Sequence, residues 1–442
     1  MAEAKSNTKK TTKKAGRLAI LAAMGPGLLT AMAGNDAGGI ATYSSTGATY
    51  GYGMLWTVPL MCVLLIVAQE TAARMGCATG KGFAALIREQ FGVRVSAIAM
   101  LALIISNFTV TLSEFAGIAS SMELFGIPLQ VSVPIAGIVT WLLTQSGSYH
   151  RVEKILLALS CVFLTYIVSG FISNPDWGLA LKDTVIPQFS SDPGYVSLLV
   201  ANVGTTISPY MLFMVSSNVV EKNLKGSDIP GQRADNVSGV IAAEITTWFI
   251  VLTTGTVLYP AGVTVNSAAD AAQALVPLAG QYASALFAAG LAGASFLAAC
   301  VLPSITASAV CEAFGWERGV DRSWNEAPAY RAIITGITIL SAGIVLIPNV
   351  DLFGVMMLAQ VINGVLLPVL MVCMVLIAND KRVMGQYANG RVWTALTWFT
   401  IVVVIVLTII MFVLQAMDAA GKDSTIKHAM ASMNPQGVDV VS

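Results

Sequence analysis

Gly25-Pro26-Gly27-Leu28-Leu29-Thr30-Ala31-Met32-Ala33-Gly34-Asn35-Asp36-Ala37-Gly38-Gly39 sits inside an apolar stretch long enough to cross a bilayer, yet it makes a poor continuous helix. Glycine costs about 1 kcal/mol against alanine in a helix interior. Asn35 and Asp36 carry short polar side chains that bond to nearby backbone and compete with the helical ladder. The run predicts an unwound segment whose free carbonyls lie beside the Asp36 carboxylate. Non-helical backbone at membrane depth is tolerated only where it lines a cavity or is buried in protein. Val203-Gly204-Thr205-Thr206-Ile207-Ser208-Pro209-Tyr210 repeats the idea further along, with Pro209 removing a backbone donor and crowding the preceding turn. Each segment alone has a plainer reading, since glycines in membrane helices serve close packing and prolines often only kink a span. The pair, at matching places in two halves of the chain, points to a site.

The rest of the chain supplies the frame. Of its 442 residues 56% are hydrophobic and 11% charged, against about 25% charged in soluble domains, and the mean hydropathy is +0.75. A helix needs roughly 20 apolar residues to span the hydrocarbon core. Hydropathy predicts about eleven spans, with cores at 18–48, 54–73, 96–125, 130–145, 154–173, 195–220, 237–259, 283–313, 330–347, 351–378 and 393–416. With the N-terminus in the cytoplasm, all the Lys and Arg but Lys182, Lys422 and Lys427 fall on the inner side, as the positive-inside rule requires. The C-terminus is then expected outside, and the localisation expected is the inner membrane.

Residues 1–17 read as a basic cytoplasmic tail, because the apolar stretch that follows holds Asp36 and lacks the cleavage site of a signal peptide. Residues 18–416 read as the transmembrane domain and 417–442 as a polar, non-cytoplasmic tail. Two interrupted spans five apart imply two halves of opposite orientation, about 18–173 and 195–378, with an extra helix at about 393–416. That is the pattern of inverted-repeat transporters with a binding site at the midplane.

No Lys or Arg falls in the middle of a span, but Asp36, Glu114 and Glu244 do, with Glu70, Glu123 and Glu312 nearer span ends. A buried membrane acid without a basic partner is a functional candidate by default, and its natural partner is a cation that comes and goes. Glu114 has the further option of pairing with polar neighbours such as Ser113. The six cysteines show no CxxC pairing and read as small hydrophobes. The Met-rich stretches read as helix packing. His150 and His428 belong to no catalytic set, and no phosphate-binding loop implies ATP hydrolysis. The chain therefore reads as a membrane transporter and not an enzyme, with the lipid bilayer as its surroundings, no cofactor, no nucleic acid and no obligatory protein partner.

These residues resemble the Nramp family of divalent metal transporters along nearly the whole chain. Gly25-Pro26-Gly27-Leu28-Leu29 is similar to the family's opening of span 1, and Asp36-Ala37-Gly38-Gly39 falls where the family carries Asp-Pro-Gly-Asn. Ala72-Ala73-Arg74 and Ala78-Thr79-Gly80 resemble the end of span 2, Glu153-Lys154 opens span 5, Pro175-Asp176-Trp177 follows it, and Gln360 matches the family's Gln in span 10. The resemblance implies a LeuT-like fold, all α-helical, of 5+5 spans plus one, with spans 1 and 6 broken.

The departures bear on the substrate. The family's Met-Pro-His in span 6 is here Ser208-Pro209-Tyr210. A thioether suits transition metals, whereas hydroxyl, carboxylate, carbonyl and water suit Mg, Ca and Mn. Gly39 stands where the family has an Asn side chain, which leaves more room. A roomy oxygen-only site with one carboxylate suits Mg²⁺, which dehydrates reluctantly and keeps several waters. The pattern resembles the Nramp-related magnesium transporter branch. The expected site comprises Asp36 as anionic ligand or anchor, the backbone near Ala33 and Thr205, Ser208 and Gln360, with Gly39 and Tyr210 shaping it.

Tyr210 in place of the family's His, and Thr111 where the family has an acid in span 3, thin the titratable chain of a proton relay. Uptake of a divalent ion across about 100 mV gains roughly 4.6 kcal/mol without protons. The expected transported ion is Mg²⁺, with Mn²⁺ also accepted. The rival readings are a proton-coupled Mn²⁺ and Fe²⁺ symporter, a sodium-coupled organic solute symporter of the same architecture, and a channel.

Overall fold

The computed structural model describes residues 36–145, 161–190, 192–320 and 322–432. The basic tail, the Gly25-Pro26-Gly27-Leu28-Leu29 motif, Ala33 and Glu153-Lys154 lie outside the described residues. Among the described residues every regular element is helical. The main helices are α1 (Ala37–Tyr50), α2 (Thr57–Thr79), α3 (Phe83–Leu124), α4 (Leu129–Gln145), α5 (Thr165–Ile172), α6 (Trp177–Val185), α7 (Pro193–Thr206), α8 (Pro209–Glu221), α9 (Ile229–Val257), α10 (Ala283–Phe314), α11 (Pro328–Val345), α12 (Leu352–Asn379) and α13 (Arg391–Ser432).

Among the described residues, eight stretches are long and apolar enough to cross a membrane, counting α7 with α8, and two shorter apolar helices cover Leu129–Gln145 and Val162–Ile172. With α1 as the second half of span 1, this is the eleven-span path. The last helix runs on to Ser432, well past residue 416, so the stretch taken from composition as a polar tail begins as helix.

Burial sorts the helices into centre and rim. In the most apolar window of Pro193–Glu221, 89% of residues are buried, against 28% in that of Arg391–Leu414. On α13 Phe399, Ile409 and Phe412 stand exposed, as do Ile135, Ile138 and Leu142 on α4. Such faces are stable in lipid and costly in water.

The centre is held by small residues that let backbones touch, the usual device where lipid offers no hydrophobic drive between helices. A Cβ on Gly204 of α7 would collide with the Gln360 carbonyl and the Gly364 amide of α12, and one on Gly364 would meet the Val200 carbonyl. A Cβ on Gly47 of α1 would strike Thr254 and the Val251 carbonyl of α9. Helix α3 is bent at Gly92, whose φ of 76° and ψ of −174° form a conformation open almost only to glycine.

Two acids near span ends turn out to be structural. Glu70 is buried and paired with Arg74 at 3.1 Å and with Arg233 of α9. Arg74 also bonds the Tyr387 carbonyl and Asn389, and both guanidinium groups lie over Trp393, 5.9 and 5.3 Å from its ring. The cluster ties α2, α9 and the start of α13 at one end of the bundle. Glu312 pairs with Arg318 at 2.9 Å.

Candidate functional site

Asp36 is the residue from which α1 starts. Its backbone is extended, with φ −73° and ψ −179°, and its Oδ1 accepts the Gly39 amide at 2.7 Å. This is an N-cap, in which a short acidic side chain satisfies one of the orphan amides of the first turn. The cap uses one oxygen. Oδ2 is buried and has no partner. Gly39 therefore contributes its amide to the carboxylate that would hold an ion.

Glu114 of α3 reaches the same turn, accepting the Ala37 amide through Oε2 at 3.3 Å while Oε1 stays unpartnered. Its partner is thus the α1 backbone and not Ser113, whose hydroxyl has no bond. Where composition shows one carboxylate in the span 1 break, the fold adds a second to the adjoining residue. The approach is close: a Cβ on Gly117 of α3 would collide with Ala37 Cβ and Ser295 Oγ.

The second break lies at Ile207-Ser208. Helix α7 ends at Thr206, Ile207 leaves the helical region with φ −111° and ψ 65°, and α8 restarts at Pro209. Proline at the first position of a helix costs nothing, because its missing amide would be an orphan there. Pro209 thus restarts a helix rather than kinking one, and it offers the Thr205 carbonyl no donor. The Ser208 hydroxyl turns back and donates to the Gly204 and Thr205 carbonyls, both at 3.1 Å. Thr205 Oγ1 is buried without a partner. Tyr210, on the first turn of α8, is 1% exposed and within electrostatic reach of Asp36 and Glu114.

Gln360 of α12 brings the two breaks together. Its side chain packs on Gly38, where a Cβ would collide with Nε2, and its carbonyl packs on Gly204. Its Oε1 accepts from Asn363 Nδ2 at 3.3 Å, and the same Nδ2 reaches Ser208 Oγ at 3.4 Å. Asp36, Gly39, Thr205, Ser208, Tyr210 and Gln360 thus share one buried region.

Asn363 is the member the sequence reading missed. The signal was an amide one turn beyond Gln360 in an otherwise apolar helix. Missed too are the ties that hold α1 on α7: Tyr43 to Thr206 at 2.8 Å and Asn202 to Thr46 at 3.0 Å. Among the described residues no three His, Cys, Asp or Glu side chains converge. The donors at the breaks are oxygen atoms and one amide, with water left to complete any coordination shell.

A model of the family described as natural resistance-associated macrophage protein-like matches residues 27–414. The chain belongs to the Nramp family. Its place there makes it a multi-pass membrane transporter and not an enzyme. Among Nramp relatives, the divalent metal cation transporter MntH of Verminephrobacter eiseniae is 27% identical over 404 residues, 87% of each chain. That of Bacillus subtilis is 24% identical over 404 residues, covering 89% of this chain and 92% of the other.

Among solved structures, the Eremococcus coleocola manganese transporter superposes with a TM-score of 0.71 at 22% identity, covering 89% of this chain and 86% of that one. MhsT, solved in complex with L-phenylalanine, superposes with a TM-score of 0.56 at 16% identity, covering 88% and 97%. These likenesses identify the fold as the LeuT-like inverted repeat of this Nramp chain, with its extra helix α13.

Proposed function

We propose that this Nramp protein is an alternating-access carrier for divalent cations that takes Mg²⁺ and also Mn²⁺, driven by membrane potential and without carrying protons. The observation that carries the reading is Ser208, a hydroxyl in place of a thioether, folded back on the carbonyls of α7. A hard, short donor that does not reach out favours an ion that keeps its water. Asp36 Oδ2, Thr205 Oγ1 and the Thr205 carbonyl supply acceptors for a hydrated ion, and Asp36 supplies the charge. The relatives named divalent metal cation transporters support the ion class.

Thr111 Oγ1 donates within its own helix to the Asn107 carbonyl at 2.7 Å, and a threonine hydroxyl does not titrate near neutral pH. Tyr210, with a reference pKa near 10, is a poor relay. In this reading the N-terminus is cytoplasmic, the C-terminus is outside, the protein works in the inner membrane and needs no protein partner. Its repeats run over about 18–173 and 195–378, with the extra helix from about 393.

The test is flux into proteoliposomes holding a pH dye under a potassium diffusion potential. Mg²⁺ influx should follow the potential, slow or reverse when it is reversed, and leave the internal pH unchanged. Internal acidification in proportion to Mg²⁺, lost in Glu114→Gln, would replace this reading with proton coupling. That second reading is favoured by one observation, the Glu114 carboxylate on the first turn of α1.

A further inference from the structure

Asn363 is fully buried in α12, one turn beyond Gln360. Its Nδ2 donates to Gln360 Oε1 at 3.3 Å and to Ser208 Oγ at 3.4 Å, and its Oδ1 accepts from the Ser106 hydroxyl of α3. One amide thus joins α3, α12 and the break between α7 and α8. The consequence falls on Gln360. With Oε1 engaged by Asn363, Gln360 turns Nε2 toward Gly38, buried and without a partner. A primary amide carries donors on one side and an acceptor on the other. The donor side is the wrong one for a cation, and equally for a hydrated cation, whose water hydrogens point outward and need acceptors.

The network has a second arrangement with the same groups. Turned by half a rotation, Gln360 Nε2 donates to Asn363 Oδ1 and Asn363 Nδ2 donates to Ser106 Oγ. The Ser208 hydroxyl can then leave the α7 carbonyls and donate to Asn363 Oδ1. Gln360 Oε1 now faces Gly38 and the first turn of α1, and the Gly204 and Thr205 carbonyls are released. Neither arrangement strands Asn363, since hydroxyls donate or accept as required. Buried amides of this kind are costly to leave unpaired, so the two side chains must turn together.

We propose that Asn363 is a positioning residue that sets which face of the Gln360 amide meets the substrate. A paired turn of the two amides changes the break from donor-lined to acceptor-lined as the cation arrives. Unloading reverses it, with Nε2 returning to the side of the uncompensated Asp36 carboxylate. This rests on the reading that a hydrated divalent cation binds between the two breaks.

The experiment is a double-variant cycle read as Mg²⁺ influx into proteoliposomes. Asn363→Leu should raise KM about tenfold with the maximal rate held within about threefold, and should change KM less than about twofold in a Gln360→Ala background, because coupled residues are non-additive. Equal effects in the two backgrounds would show that Asn363 acts elsewhere and would overturn the proposal.

Asn363→Asp is close in shape but has no amide donor to place on Gln360 Oε1. It should hold Gln360 Nε2, fix Oε1 toward the site and keep or lower KM. The part of that change that disappears in Gln360→Ala separates orientation from added charge. A KM raised as far as in Asn363→Leu would equally overturn the proposal, and this second cycle decides alone if Asn363→Leu does not fold. Absence of saturable Mg²⁺ influx in the wild type would count against the substrate reading only, and the same cycle run with Mn²⁺ then decides the role of Asn363.

Discussion

The two breaks are built on one plan and finished differently. Each begins a helix in the interior of the bundle, α1 behind Asp36 and α8 behind Ser208. Asp36 caps forward, binding the Gly39 amide through one oxygen and leaving the other without a partner. Ser208 makes no cap bond and spends its hydroxyl backward on α7. The first break therefore ends on a carboxyl group with one unpartnered oxygen, and the second on a neutral hydroxyl turned back toward α7 and met by Asn363. A helix N-terminus stabilises a nearby carboxylate by about 0.3–2 kcal/mol, while burying an ion costs several kcal/mol. The helix end alone does not offset that cost, and on the proposed reading a bound cation does. The proposed function accordingly assigns attraction to the first break and selection to the second.

The largest test of that division is charge removal at Asp36. Asp36→Ala and Asp36→Asn should both reduce divalent flux at least about a hundredfold in proteoliposomes, which corresponds to a loss of about 2.8 kcal/mol or more of ion binding. Near-normal Mg²⁺ uptake by either folded variant would move attraction elsewhere. The second test gives the neutral break a soft donor. Ser208→Met combined with Gly39→Asn should raise the preference for Cd²⁺ over Mg²⁺ about tenfold in competition assays. An unchanged ratio would mean that selection does not reside at Ser208.

A smaller effect separates cap from charge. Both Asp36→Ala and Asp36→Asn remove the buried carboxylate, but Asp36→Asn should be about 1 kcal/mol the more stable of the two, because asparagine caps as well as aspartate. Thermal unfolding in detergent measures both. Equal stability of the two variants would show that the Gly39 bond is not what starts α1.

The smallest effect is where the last residue of α1 meets the N-cap of α7, and the Tyr50 hydroxyl donates to Asp192 at 2.5 Å. The Tyr50 bond holds the Asp192 carboxyl below its ordinary range. The tie is thus fully present above the unfolded carboxyl value, near pH 3.9, and is lost as pH falls through the lower folded value. Tyr50→Phe should cost no more than about 0.5 kcal/mol, since the site is exposed and screened. That difference should be constant from pH 5 to 8 and fade below about pH 4. A difference that grows in acid would contradict the assignment.

The breaks were legible in the residues because the signals are local: glycine and asparagine beside an acid, and proline after a serine. The charge asymmetry of the loops gave the span count for the same reason. What stayed hidden depends on contacts between distant residues. Glu70 and Glu114 look alike in a hydropathy profile, and only the fold brings Arg233 to the first and the Ala37 amide to the second. Pairing makes one a structural tie and leaves the other a site neighbour. Asn363 was hidden because one amide in an apolar helix has no meaning until its partners on α3 and α8 are known. The extent of α13 beyond residue 416 was not legible because hydropathy reports where lipid ends, and a helix does not have to end there.

Gly204 and Gly364 meet backbone to backbone where α7 crosses α12. Every single-base change of a glycine codon that alters the residue adds a Cβ, and at either position that atom has nowhere to go. Ser208, a few residues away between α7 and α8, meets side-chain and carbonyl hydrogen-bond partners and no such backbone seam. If Ser208 sets the ion as proposed, inheritance can rewrite that choice while the glycine seam beside it stays closed to variation.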